Sequence, residues 1–404
     1  MNVPSIDIAD FDYGLPDEKI ARFPLGQRDQ SRLLVAGDHG ITETGFAELP
    51  DFLPERSLLI FNDTRVIRAR LVFYKTAGAR IEVFCLQPLG GYGQYRKSTW
   101  KCLIGNAKKW KSGPLKMTVP TPEGDILLQA SRGQSLGEAH QVSFEWDSPV
   151  FSFEQVLEFA GKIPLPPYLN REPVESDTLR YQTIYARNNG SVAAPTAGLH
   201  FTPAILESLE SRGCAIDYLT LHVGAGTFRP VSASDAREHL MHEEELIVRK
   251  ELLMRLLGNL NGNITAVGTT SMRSLESIYW LGAGIVNGKE PGNIFRIQQW
   301  EPYSGETRIP PAEALQAILD YMSHRGVATL RGFTGIMIVP GYRFRICKAL
   351  VTNFHQPKST LLLLVAAFIG QEWKKAYDFA LEKNFRFLSY GDSCLFFRKE
   401  VGAS

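Results

Sequence analysis

The chain changes its hydrophobic period once along its length, and that change limits what it can fold into. From Val66 to about Trp146 it is written in short β-type runs separated by Gly- and Pro-containing turns: Leu71–Tyr74, Arg80–Leu86, Trp100–Ile104, Leu115–Val119, Ile126–Gln129 and Gln141–Trp146. Short strands at this spacing predict a small barrel or sandwich. After Phe153 strand-like and helix-like segments alternate, which predicts an α/β domain with a mostly parallel or mixed sheet. With 404 residues the chain has room for two or three domains of about 100–200 residues each. The organisation expected is a large α/β domain built from 1–65 and 154–404, with a small β-barrel-like domain, 66–153, inserted in it.

Local signals fill in the large domain. Leu15-Pro16-Asp17-Glu18 predicts a short helix, with proline early and acids in the first turn. Ser57–Phe61 reads as a strand followed by a turn at Asn62-Asp63-Thr64. Thr202-Pro203 caps a helix that carries Ile205, Leu206 and Leu209 on one face and stops at Gly213. Strands are predicted at Ser191–Ala194, Ala215–Val223, Ile264–Val267, Ile336–Val339 and Ala349–Asn353. Helices are predicted from Leu361 and over Glu372–Asn384, and Arg386–Tyr390 leads into a last strand.

Composition excludes several classes. At 44% hydrophobic and 22% charged residues the chain is ordinary for a folded protein, so global disorder is excluded. The longest apolar run, Leu361–Gly370, is half of the ~20 residues a bilayer needs. The N-terminus carries Asp7 and Asp10 and lacks the pattern of a signal peptide. The five cysteines are scattered with no CxxC pair, so neither a disulfide framework nor a zinc knuckle is expected, and a reducing cytoplasm is the expected location. The net charge of +1 conceals an asymmetry: residues 61–116 hold twelve Lys/Arg against Asp63 and Glu82, which is +10, leaving −9 elsewhere. Trp100, Trp110, Tyr92 and Tyr95 lie among these bases. Cations neutralise phosphates and aromatic faces stack on bases, so a nucleic-acid contact surface competes with a merely solvated Lys-rich face. Arg65, Lys108, Lys109 and Lys111 are the candidates for contact.

There is no GxxxxGK[ST], no GxGxxG between a strand and a helix, no HExxH and no GxSxG. What remains is five polar loops that follow predicted strands: PTAGLHF (195–201), LHVGAGTF (221–228), VGTTSMRS (267–274), TNFHQPKSTL (352–361) and LSYGD (388–392). In open α/β sheets ligands bind beyond the carboxyl ends of the strands, where such loops converge. Each also has an ordinary reading: a strand-to-helix turn around His200, a tight turn at Gly224 and Gly226, hydroxyls capping a helix at 269–271. The histidines at 200, 222, 242 and 355 fit no standard metal spacing, so no metal is expected.

Taken together and in this order, PTAGLHF, LHVGAGTF, AVGTTSMRSLES and TNFHQPKSTLLLLVAAFIG resemble the loops of the S-adenosylmethionine:tRNA ribosyltransferase-isomerases of queuosine biosynthesis. FDYGLPDEKIARFPLGQRDQSRLLV, FNDTRVIRARL, GKIPLPPYLNR and YQTIYAR extend the likeness over nearly the whole chain, most weakly at 120–150 and 285–335. Gln356, Asp63 and Arg68 depart from the usual family residues and are expected to lie away from the polar loop residues. The resemblance implies a large α/β domain with a small β-barrel domain. It implies transfer and isomerisation of the ribosyl part of S-adenosylmethionine onto 7-aminomethyl-7-deazaguanine at the tRNA wobble position, giving epoxyqueuosine-tRNA with loss of adenine and methionine. It also implies a monomer in the cytoplasm with no cofactor beyond this consumed co-substrate.

Such chemistry needs a proton acceptor near C5′, help for departing adenine, and a clamp for the methionine carboxylate. His200, His222, His355 and Asp392 are the candidates for acid or base, in no fixed order. Arg273 with Thr269, Thr270 and Ser271 is the candidate clamp. Thr196, Gly198, Gly224, Gly226, Thr227, Lys358, Ser359 and Thr360 complete the expected substrate site. Two rival classes are a methyltransferase, which would show a glycine-rich loop after its first strand, and a non-catalytic RNA-binding protein, which would not need five polar loops at strand ends.

Overall fold

The computed structural model describes every residue except 1–2, 38–39, 77, 90–95, 225, 227–229, 232, 306–307 and 399–404. Ten strands form one mixed sheet in the order Phe295–Ile297, Thr329–Thr334, Glu244–Arg249, Ala215–His222, Leu58–Asn62, Ile264–Val267, Ala349–Asn353, Ser393–Phe397, Arg32–Gly37, Gly40–Gly45. Its centre is parallel: Leu58–Asn62 lies between Ala215–His222 and Ile264–Val267, and Ala349–Asn353 runs alongside the latter. Central parallel strands are covered on both faces and are therefore mostly apolar. Leu58–Asn62, Ile264–Val267 and Ala349–Asn353 are buried at every position. Alternation divides their side chains between two cores. Leu58, Ile60 and Leu350 pack toward the helices Thr269–Val286, Pro311–Arg325 and Thr360–Ile369. Leu59, Phe61 and Val351 pack toward the helix Pro203–Ser211 on the other face.

The β-rich segment folds as expected into a six-stranded antiparallel sheet in the order Arg70–Tyr74, Arg80–Pro88, Lys97–Gly105, Ala139–Trp146, Ile126–Leu136, Leu115–Val119. The two end strands approach one another without a hydrogen-bonded ladder, so the sheet is nearly closed. Its interior is aromatic, with Phe73, Trp100, Trp110, Phe144 and Trp146. The helix Phe153–Ala160, capped by a reciprocal Ser152–Gln155 box, packs Phe153, Val156 and Leu157 into that interior.

Four readings of the sequence change. Trp100 and Trp110 are core residues, 5% and 1% exposed, so neither offers a face to a base. The Trp110 indole donates inward to Gly113 O at 2.9 Å, because a six-stranded barrel this small needs large side chains to fill it. Tyr92 and Tyr95 lie outside the described residues. Ile336–Val339 is buried but forms no ladder. Its backbone is held singly, Met337 N on Gln299 O at 3.1 Å and Val339 N on the Tyr303 hydroxyl at 3.1 Å, and an apolar run cannot distinguish that from a strand. The helix expected at Leu15–Glu18 is one 3-10 turn, Asp17–Lys19. The strand expected at Ser191–Ala194 is Asn188–Ser191, paired with Thr64–Val66 beside the main sheet.

The crossing of Thr269–Val286 over Pro311–Arg325 is tight at Gly282, where an added Cβ would stand 2.1 Å from Ala314 O. In an exposed helix Gly→Ala gains up to about 1 kcal/mol. Here overpacking reverses the sign, and we expect Gly282→Ala to lose ~1–3 kcal/mol of stability in denaturant unfolding. A variant as stable as the parent would show that the helices simply part.

Candidate active site

One edge of the large sheet gathers the polar loops. The carboxyl ends of Leu58–Asn62, Ile264–Val267 and Ala349–Asn353 lie there, and so do the starts of Ser393–Phe397 and Arg32–Gly37, because Asn353 pairs with Ser393 and Ser393 with Leu33. A cleft of about 690 Å³, including its mouth, opens at this edge between segments 193–197, 268–270, 352–356 and 388–389, with Ser359, Val223 and Tyr168 completing its wall.

Each wall has a local cause. Ile264–Val267 leaves the sheet through Gly268, whose φ of +93° suits glycine, and the chain turns straight into the helix Thr269–Val286. No side chain caps that helix. Ser271 instead donates back to Val267 O at 2.8 Å, whereas the buried Thr270 hydroxyl at the cleft wall has no partner. Ser359 caps Thr360–Ile369 by accepting from Leu362 N at 3.2 Å. Lys358 and Leu388 have φ of 56° and 69°, so two non-glycine residues stand in the left-handed region in loops bordering the cleft, where strain is characteristic of functional sites.

The loops are tied by one amide. Asn353 Oδ1 accepts from Thr196 Oγ1 at 2.8 Å, and its Nδ2 donates to His200 Nε2 at 3.1 Å and toward Asp392 O at 3.4 Å. His200 Nε2 is then an acceptor, so its proton sits on Nδ1 and is shared with Ser31 Oγ at 2.9 Å. Burial pushes the His200 imidazole down to about 4 and that of His355 down to about 3. Both are neutral in any physiological medium. His355 lines the cleft, holds Thr352 Oγ1 at 2.9 Å through Nε2, and has no hydrogen-bond partner at Nδ1 among the described residues.

The expected site residues divide accordingly. Thr196, Thr269, Thr270, His355 and Ser359 line the cleft. His200 stands directly behind Asn353. His222 ends a strand nearer the sheet's other side, bonded to Thr64 Oγ1 at 2.9 Å, and its ring packs on the Gly190 backbone. Asp392 is pinned by backbone amides, Arg32 N at 3.0 Å and Arg386 N at 2.8 Å, so both oxygens hold loops together rather than facing the cleft. Burial holds its pKa above the usual carboxylate value. Gly198 and Gly226 are small for internal reasons: a Cβ would strike the Tyr185 hydroxyl at 1.9 Å and the His242 ring at 2.0 Å. Gly224 donates its amide to Glu244 Oε1 at 3.0 Å. Lys358 turns to Asp12 at 2.6 Å, and Thr360 starts the helix behind the cleft. Thr227 lies outside the described residues.

Arg273 is 3% exposed and paired with Glu244 at 2.8 Å, with Nε and one terminal nitrogen unpartnered. The cleft also includes residues not singled out as ligands. Asn353 and Ser389 lay in the quoted motifs without a role, and Tyr168 is brought in from the PLPPYLNR segment. Gln356 also lines the cleft, contrary to its expected distance from the polar loops. Asp63 is buried and accepts from Thr220 Oγ1 at 2.6 Å, while Arg68 pairs with Glu158 at 3.2 Å.

Buried neutral histidines have a measurable consequence. Below pH 6.5 the unfolded chain protonates these imidazoles and the folded chain does not, down to about pH 4 for His200 and about pH 3 for His355. Stability therefore falls as pH drops through that window, by up to about 1.4 kcal/mol per pH unit for each ring. We expect His355→Gln to flatten the slope between pH 6.5 and 4.5 relative to the parent. Equal slopes would show that His355 is protonated in the folded chain.

Residues 8–396 match the family model described as queuosine biosynthesis protein. The S-adenosylmethionine:tRNA ribosyltransferase-isomerase of Azoarcus sp. (strain BH72) is 38% identical over 400 residues, 98% of this chain and 99% of the relative. That of Stenotrophomonas maltophilia (strain R551-3) is 39% identical over 394 residues, 96% of this chain and 98% of the relative. A crystal structure of S-adenosylmethionine tRNA ribosyltransferase from Thermotoga maritima is 28% identical, covers 96% of this chain and 99% of that one, and superposes with a TM-score of 0.46. With the family model running over almost the whole sequence and these relatives matching end to end, the chain belongs to the queuosine biosynthesis protein family.

Proposed function

We propose that this chain transfers and isomerises the ribosyl moiety of S-adenosylmethionine onto 7-aminomethyl-7-deazaguanine at the tRNA wobble position. Epoxyqueuosine-tRNA forms, and adenine and methionine leave. The observation that carries the reading is the cleft at the strand edge, where hydroxyls and the neutral imidazole of His355 gather in a chain of this family. We read it as acting as a cytoplasmic monomer without a metal or redox cofactor. Among the described residues no three His, Cys, Asp or Glu side chains cluster as ligands.

The residues take distinct parts in this reading. His355 is the proton acceptor, since it lines the cleft with a ring nitrogen that has no hydrogen-bond partner among the described residues. Its low pKa makes it a weak base but guarantees that it is unprotonated beside a sulfonium, whose charge acidifies C5′–H. His200, with both nitrogens engaged, positions the 352–356 loop. Thr270 offers its hydroxyl to the co-substrate, and the unpaired edge of the Arg273 fork is the carboxylate clamp, with Glu244 balancing its charge.

Incubation with S-adenosylmethionine and tRNA bearing the aminomethyl base should release adenine. S-Adenosylhomocysteine instead would make the chain a methyltransferase, and no turnover would make it a binding protein. His355→Ala should lower turnover ~10²–10⁴-fold. Thr270→Val should raise KM for S-adenosylmethionine about 2–12-fold, as one lost hydrogen bond of ~0.5–1.5 kcal/mol requires. A Thr270→Val variant with unchanged KM removes that residue from the site.

The tRNA reading of the small domain rests on its cations. Arg68, Arg70, Arg80 and Lys97 are paired with acids, whereas Arg65, Lys108, Lys109 and Lys111 are exposed and without an ion pair among the described residues. Replacing Lys108, Lys109 and Lys111 together by Ala should weaken tRNA binding and lower its salt slope by roughly 1 per lost phosphate contact. An unchanged slope would mark a solvated face.

A further inference from the structure

The segment FPLGQRDQSR, part of the resemblance but without a role in the cleft, folds over a second cavity. It is open to solvent, measures about 290 Å³ with its mouth included, and is lined by Arg28, Ser31, Arg180, His200, Ser389 and Tyr390 among others. Ser389 also lines the first cleft, and the His200–Asn353 hydrogen bond crosses the wall between them. The two spaces are therefore neighbours.

The charges around this cavity are not balanced locally. Arg28 donates to Leu199 O at 3.0 Å and Leu179 O at 2.9 Å; Arg180 donates to Gly26 O at 3.0 Å and Leu25 O at 2.6 Å. Each guanidinium thus meets only backbone carbonyls, and Arg180 Nε is buried without a partner. Among the described residues neither has a carboxylate within ion-pair reach. Other part-buried or buried arginines here do: Arg70 with Glu82, Arg171 with Asp177 and Arg273 with Glu244. Arg386, on the other side of His200, likewise donates to Phe23 O and Tyr390 O, although its backbone amide binds Asp392. Burial, and then Arg180, hold the Arg28 pKa below its usual value. Two unneutralised forks facing one small space leave a site that an anion would stabilise.

The residue that precedes the lining Pro24 points to the anion's source. Phe23 is 55% exposed, and the Arg171 guanidinium covers one face of its ring at 4.1 Å. An exposed ring beside a cationic pocket is how proteins hold single-stranded nucleic acid, stacking a base while cations hold the backbone. We propose that this cavity seats a backbone phosphodiester of the RNA substrate between Arg28 and Arg180, with Phe23 stacking a neighbouring base. The assignment rests on the tRNA reading above and adds a contact from the large domain, beside the reacting nucleotide.

The test uses the whole chain and an anticodon stem-loop RNA carrying the aminomethyl base. Arg180→Gln should flatten the dependence of log K on log salt by about 0.7, the value for one single-strand phosphate, while Arg180→Lys keeps the slope. Phe23→Ala should weaken binding without changing that slope. A methylphosphonate, which neutralises one phosphate, walked through the loop should weaken the wild type at one position and leave Arg180→Gln no weaker there. A native unfolding midpoint with an unchanged slope in Arg180→Gln overturns the proposal. So does the absence of any position coupled to Arg180. A raised KM for S-adenosylmethionine with unchanged RNA binding overturns it too and assigns the cavity to the methionine carboxylate. If Arg180→Gln fails to fold, the same scan against Arg180→Lys decides, since a fork and a point charge hold that phosphate differently. Adenine release by the wild type is read separately: its absence defeats the proposed reaction and leaves the phosphate seat standing.

Discussion

The side-chain amide of Asn353 sits at the end of a strand buried at every position, and it uses its carbonyl on Thr196 and its amino group on His200 and the Asp392 carbonyl. Three loops from distant parts of the chain meet on that one group. At 2% exposure an unmet amide would cost its full desolvation, so each partner is held as firmly as the amide itself. Its orientation fixes the His200 tautomer, and through Ser31 it reaches the strand Arg32–Gly37 on the far side of the sheet. Asp392 completes the joint from below, with each carboxylate oxygen on a backbone amide of a different loop. The cleft can therefore be shaped by loops without being soft.

Much of this was legible in the sequence, because local rules and tertiary demands agree over long stretches. Leu115–Val119 and the helix at Pro203 follow from period and capping, and Thr202 does accept from Ile205 N. The five loops could be placed at strand ends because the strands themselves could be placed. What the sequence could not show is which polar groups are consumed internally. Asp392 and Gly226 looked like ligand contacts because their partners, Arg386 N and His242, are found only by folding. The cluster of cations at 61–116 overstated its free charge for the same reason: Glu145, Glu158 and Glu172 lie outside that window and pair back into it. Trp110 lies between lysines in sequence and inside the barrel in space, because the neighbours of a residue in a tight turn need not share its side.

The electrostatics of the cleft suit a cation. A positively charged imidazole beside a sulfonium would repel it, and at 4 Å even an effective dielectric of ~20 leaves about 4 kcal/mol of repulsion between unit charges. Burial removes that conflict by keeping His200 and His355 neutral, with the charge of Arg386 reinforcing it at His200. The same burial weakens the imidazole as a base. On the reading proposed above, the substrate's own charge loosens its proton, and position counts for more than basicity.

The helix Thr269–Val286 carries this logic to its end. It is buried along most of its length and yet holds Ser271, Arg273, Ser274, Glu276 and Ser277. Ser271, Ser274 and Ser277 donate to carbonyls four residues back, at 2.8, 2.9 and 2.7 Å. Glu276 accepts from Arg345 N, Ile346 N and the Tyr342 hydroxyl, anchoring the chain that leads into Ala349–Asn353. The helix thus satisfies its polar groups everywhere except near its start, where the Thr270 hydroxyl and two nitrogens of Arg273 are left over. Were these groups only structural, the same devices that serve Ser274 and Ser277 a turn later would serve them. Thr270 lines the cleft beside Gly268, and Arg273 lies about one turn further along the helix, outside that lining.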